Sequence, residues 1–68
     1  MTKAKKIYEV DTENVFSYYE TFDEAVKDFK NWVKFYNENK GKYGSRTIKL
    51  FLNYGKSQKT LCECFISE

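Results

Sequence analysis

Histidine and proline are both missing from this 68-residue chain, while glycine occurs three times, cysteine twice and tryptophan once. Without histidine the usual general base at neutral pH and the usual nitrogen ligand for a metal are gone. No Ser or Cys has a partner that the sequence identifies, so enzymatic activity is not expected. Nor is a cofactor, because no glycine loop of the phosphate-cradling kind occurs; Gly41, Gly44 and Gly55 fit a helix stop and turns. The acids of "DTEN" fall in a turn, and those of "TFDEAVKD" open a helix, where the helix dipole and pairing with Lys27 account for them. Cys62 and Cys64 supply two thiolates against the four ligands of a structural zinc, so no metal is expected either.

Other absences bear on compartment and domain count. No repeat, proline or low-complexity stretch marks a linker, and residues 1–68 read as one small domain. No apolar run approaches the roughly 18 residues of a membrane span, and the charged "MTKAKK" is not followed by the apolar segment of a signal peptide. The two cysteines lie two apart in "TLCECFIS", where strand geometry points both thiols to one face without the approach a disulfide needs. Two free, half-buried thiols suit a reducing compartment, so a cytoplasmic protein without a membrane partner is expected.

What is present is aromatic and evenly charged. Aromatic residues make up 19% of the chain, with six Tyr, six Phe and one Trp, and charged residues 32% at a formal net charge of +2. A domain this small buries only roughly 60% of the surface its unfolded chain exposes, so some of those rings are expected outside the core.

The pattern along the chain is ββαββ. Strand-like runs at 5–10 ("KKIYEV") and 15–20 ("VFSYYE") flank the polar "DTEN" as a first hairpin. Thr21 stands three residues before Glu24, the spacing of a capping box in which hydroxyl and carboxylate each satisfy a free backbone N–H. Phe22, Ala25, Val26, Phe29, Val33 and Tyr36 then follow at helical spacing, which predicts a helix to about Asn39, stopped by Asn-Lys-Gly. A second hairpin is expected from 46–54 ("RTIKLFLNY") and 59–67 ("KTLCECFIS") around "GKSQ". The simplest arrangement is an α+β fold, a four-stranded antiparallel sheet with the single helix packed on one face.

Such a sheet has an uncovered back, and register decides its chemistry. In the third strand Ile48, Leu50 and Leu52 are expected under the helix, with Thr47, Lys49 and Phe51 behind. In the fourth, turning Leu61, Glu63 and Phe65 inward would bury the Glu63 carboxylate without an evident cation, so Cys62, Cys64 and Ile66 are placed inside. Lys49 then stands near Glu63, and Phe51, Leu61 and Phe65 form an apolar cluster on the back. The first hairpin divides into Ile7, Phe16 and Tyr18 on one face and Tyr8, Val10, Val15 and Tyr19 on the other, and either set could turn inward.

Two sets of residues are candidates for binding. At about 100° per residue Trp32 lies at the border of the apolar helix stripe and Phe35 beyond it. Phe35 either packs on Trp32 or under the loop around Tyr43, or forms with Trp32 a contact patch; Trp32 and Phe35, and separately Phe51, Leu61 and Phe65 on the sheet back, are the candidate protein-binding residues. Lys27, Lys30 and Lys34 share a helix flank that Lys40, Lys42 and Arg46 continue, a track that a phosphate backbone could follow, although Asp23, Glu24 and Glu38 intervene. A non-enzymatic protein-binding module is therefore expected, an inhibitor or adaptor acting by stoichiometric contact, with self-pairing into a homodimer favoured over a different protein as the cover of the sheet back. A nucleic-acid-binding module using sheet aromatics and flanking cations is the alternative.

The segment "FDEAVKDF" after a strand resembles the strand-to-helix junction of many small α+β modules, WGR domains among them. The Trp-Gly-Arg triplet of that family does not occur here, so the resemblance implies only a strand entering a helix. The abundance of Lys, Asn, Tyr, Phe and Ile suits an AT-rich genome, and tiny lone-standing basic domains are common among phage and mobile-element proteins.

Overall fold

The computed structural model describes residues 5–67. The element order is β1 (Lys6–Asp11), β2 (Phe16–Tyr19), α1 (Phe22–Glu38), β3 (Arg46–Tyr54) and β4 (Ser57–Ile66), the expected ββαββ. The four strands form one antiparallel sheet in the order β2-β1-β3-β4, so the two hairpins meet through β1 and β3 at its centre.

Local chemistry explains most boundaries. Thr21 caps α1 by accepting the Glu24 backbone N–H at 3.3 Å. The Glu24 carboxylate does not reach back to the backbone as a full capping box requires; it accepts the Thr21 hydroxyl at 2.8 Å and fixes the cap from the side. At the other end Asn39 closes the helix, with its side-chain amide donating to the Phe35 carbonyl at 2.7 Å and its backbone N–H to Tyr36. The chain then turns through Gly41 at φ +86°, a conformation glycine adopts without steric cost.

The first hairpin turn keeps its expected four residues, shifted by one to 12–15, whereas the second is shorter than expected. The β3–β4 turn has two residues, with Gly55 first at φ +61°, the position that a type II′ turn reserves for glycine, so β4 starts at Ser57 and absorbs the expected loop. In the β1–β2 turn Thr12 is fully buried and its hydroxyl accepts the Val15 N–H at 3.1 Å. Glu13 takes φ +74° there, and its carboxylate accepts the Thr47 backbone N–H, replacing the main-chain acceptor that β1 would have offered had it continued.

Register places Tyr8, Val10 and Tyr19 from the first hairpin under the helix, together with Ile48 and Leu50 from β3 and Cys64 and Ile66 from β4. Val10, Ala25, Tyr36, Ile48, Leu50 and Ile66 are the buried apolar core, and Val26, Phe29, Trp32 and Val33 pack against it. Phe22 lies partly outside, its ring edge-on to Tyr8 at 5.7 Å.

One irregularity changes the expected faces of β4. The register shifts between Leu50 and Phe51, which pair with Cys62 and Thr60, leaving Leu61 as the extra residue of a β-bulge. Strict alternation put Leu61 on the sheet back with Phe65; the bulge breaks that alternation, and Leu61 packs against the core. The expected burial of both thiols is corrected as well: Cys64 is half-buried against the core, but Cys62 is exposed. One helix of roughly 10 Å diameter cannot roof four strands spaced about 4.8 Å apart, and β4 is an edge. Thiol labelling checks this placement: Cys62 should react quickly in the native state and Cys64 slowly, with denaturant removing the difference. Equal native rates would contradict this placement of the two thiols.

Candidate functional site

Three regions hold the residues singled out from the sequence. The first is an aromatic cluster at the end of α1. Trp32 stacks on Tyr36 with centroids 5.7 Å apart, and Phe35 meets Trp32, Tyr36 and Tyr43 at 5.8, 5.2 and 5.6 Å. The Arg46 guanidinium lies over the Tyr36 ring, 4.9 Å from its centroid. Its Nη1 donates to the Thr12 carbonyl at 3.2 Å and its Nη2 to the Tyr43 carbonyl at 3.1 Å, while Nε is buried without a partner. Phe35 thus keeps 39% exposure yet rests on three other rings. Trp32 is half-buried against the core.

The second region is the basic flank. Lys27, Lys30, Lys34, Lys40 and Lys42 are all exposed. Arg46 is not part of a continuous track with them, because its guanidinium is turned inward to ring and carbonyls. Beside this flank Tyr19, Glu24, Lys27, Asp28 and Asn31 line a shallow cleft in which Asp28 Oδ2 is buried without a partner. Burial, with the negative charge of Asp28 nearby, raises the Tyr19 phenol above its ordinary value. A folded-state value above the unfolded one makes this contribution complete below about pH 10 and lost as pH rises through the folded value. Unfolding free energy measured by urea titration should therefore drop beyond about pH 10, and drop less steeply in Tyr19→Phe. Equal slopes would show that Tyr19 is solvated as in the unfolded chain.

The third region is the sheet back, which no helix covers. Reading across the strands, one row runs Phe16, Asp11, Lys49, Glu63 and the next Tyr18, Glu9, Phe51, Thr60. A third has Ile7, Asn53 and Gln58, and Thr47 pairs with Phe65 at the opposite end. Phe65, Tyr18 and Phe16 are the most exposed large apolar side chains, at 65%, 61% and 54%. Phe51 is half-buried among its neighbours. The Glu9 carboxylate accepts the Asn53 amide at 2.9 Å, and the Gln58 amide donates to Asn53 Oδ1 at 2.9 Å, an ordered polar strip beside Phe51.

The apolar cluster expected here thus keeps Phe51 and Phe65, loses Leu61 and includes Phe16, Tyr18 and Ile7. These additions depend on β1 lying beside β3, which joins the back of one hairpin to that of the other. Alternation within the first hairpin groups Ile7, Phe16 and Tyr18 without fixing the direction in which the group points; the sheet order fixes it.

Comparison of the chain with protein-family models, curated proteins and solved structures finds no match. Among the described residues no helix is long and apolar enough to cross a membrane. Any functional reading rests on the surfaces themselves.

Proposed function

We propose that the protein is a small non-enzymatic binding module that acts by stoichiometric contact with another protein, as an inhibitor or adaptor, through the uncovered back of its sheet. The observation carrying this reading is the exposure of Phe16, Tyr18 and Phe65 on one face that the fold leaves without a cover. A domain with so little buried area gains from covering rings that it cannot bury itself. Aromatic side chains of this size supply most of the binding energy when a partner desolvates them.

A nucleic-acid-binding module is the second reading, supported by the exposed lysines of the helix flank. The sheet aromatics do not serve it well, since Glu9, Asp11 and Glu63 stand among them and would repel phosphates.

Capture from a lysate of the cells that encode the chain, with Phe16→Ala/Phe65→Ala as the paired control, tests the first reading. The parent should retain a protein that the double variant loses by tenfold or more, with little change in unfolding midpoint, as expected for exposed side chains. Mixed DNA and RNA measured at low and high salt test the second. Salt-sensitive nucleic-acid binding that survives the double variant, with no protein retained, would replace the first reading by the second.

A further inference from the structure

The formal net charge of +2 conceals an uneven distribution. Glu9, Asp11 and Glu63 lie on the sheet back, and Glu13 stands at its rim, where it lines a shallow depression with Asp11, Phe16, Thr47 and Lys49. Lys49 is the one cation placed among them by the register. Four carboxylates against one ammonium make −3 for this face, which leaves +5 for the rest of a chain whose total is +2. The ion pair Lys5–Glu20 at the sheet margin is neutral and leaves the difference unchanged. Among the described residues no other ion pair within bonding distance exists, so the acids of the back are not neutralised by contact.

Carboxylates and rings alternate on this face. In one row Phe16 adjoins Asp11, and in the next Glu9 sits between Tyr18 and Phe51. The acids are held by local bonds: Asp11 Oδ1 accepts the Glu13 N–H at 2.7 Å, Glu13 Oε2 accepts the Thr47 N–H, and Glu9 Oε1 accepts the Asn53 amide. Each of these bonds uses one carboxylate oxygen and leaves the other with no partner among the described side chains.

We propose that the sheet back docks an arginine-bearing protein surface, whose guanidinium groups pair with Glu9, Asp11, Glu13 and Glu63 while stacking on Phe16, Tyr18 and Phe65. This rests on the protein-binding reading above and specifies its partner. Arginine satisfies both halves of the alternating pattern, because its planar fork donates to a carboxylate edge-on and lies flat on an aromatic ring. Lysine offers a compact, strongly hydrated charge and serves only the first half. A second copy of this chain is the poorer occupant, since back-to-back pairing would oppose an acidic face to itself.

The test uses the full chain labelled with nitrogen-15 and three peptides of equal length, alternating leucine with arginine, lysine or glutamate. The arginine peptide should shift the amides of Glu9, Asp11, Lys49, Glu63 and Phe65 and bind several-fold more tightly than the lysine peptide, with the glutamate peptide silent. The triple variant Glu9→Gln/Asp11→Asn/Glu63→Gln keeps the acceptors for the Asn53 and Glu13 N–H groups, so it should fold as the parent does. It should weaken the arginine peptide tenfold or more, and Phe16→Ala/Phe65→Ala should erase the preference for arginine over lysine. Equal binding of arginine and lysine peptides, shifts confined to the α1 flank, or no shift at millimolar peptide would overturn the proposal. Its failure is separable from failure of the protein-binding reading. A lysate partner lost by the aromatic variant but kept by the triple variant would refute an arginine-bearing surface and leave the docking face standing. A partner kept by both variants would remove the docking face itself. Concentration-dependent sedimentation of the parent, abolished in the aromatic variant and unchanged in the triple variant, would instead assign the face to a second copy and overturn the proposal.

Discussion

Replacing Arg46 with alanine should cost about 3 kcal/mol of unfolding free energy, given that hydrogen bonds to charged groups contribute about 1.5–3 kcal/mol each. The side chain makes two of these, to the carbonyls of Thr12 and Tyr43, and lies over the Tyr36 ring. The Thr12 bond is partly buried and the Tyr43 bond exposed, so the first should carry more of the loss. In a domain of this length each kcal/mol moves the melting temperature by roughly 4–8 °C, so a fall of about 12 °C or more is expected by circular dichroism. Arg46→Lys should recover less than half of it, because one ammonium cannot reach both carbonyls and has no planar face to lay on Tyr36. A loss within about 0.5 kcal/mol, the range of ordinary surface changes, would mean that water replaces the guanidinium without cost.

Arg46 also shows where sequence reasoning stops. Its place in "GSRTIK" after a run of lysines suggests a continuation of a basic track. Its orientation follows from β1 lying beside β3, which brings the 12–15 turn within reach of a residue 34 positions later. Element order, helix bounds and the inward set Ile48 and Leu50 are legible because periodicity and capping are local. Strand order and the bulge at Leu61 are not, since both depend on pairing between distant segments. The candidate surface inherits that division. Alternation within the second hairpin assigns Phe51 and Phe65 correctly to the back, and the same rule misassigns Leu61. Glu9 and Asp11 become part of the surface only once the two hairpins are joined.

The largest loss of stability is expected from Tyr36→Ala. Tyr36 is 7% exposed, stacked on Trp32 and edge-on to Phe35 and Tyr43, with Arg46 on its ring. Truncating a buried aromatic to alanine typically costs about 3–5 kcal/mol, and a domain of this size holds only about 3–10 kcal/mol in all. Tyr36→Ala should therefore be largely unfolded at 37 °C in buffer and refold in concentrated sucrose, which favours burial. Tyr36→Leu keeps an apolar filler and allows the coupling to Arg46 to be read in folded protein. In a double-mutant cycle of Tyr36→Leu with Arg46→Ala, the two losses should fall short of additive by about 0.5–1 kcal/mol, the worth of a cation over an aromatic face at a partly exposed site. Additive losses would mean that Arg46 acts through its two carbonyl bonds alone. A native-like Tyr36→Ala would mean that Trp32, Phe35 and Tyr43 close over the gap, making Tyr36 one ring among equals in that cluster.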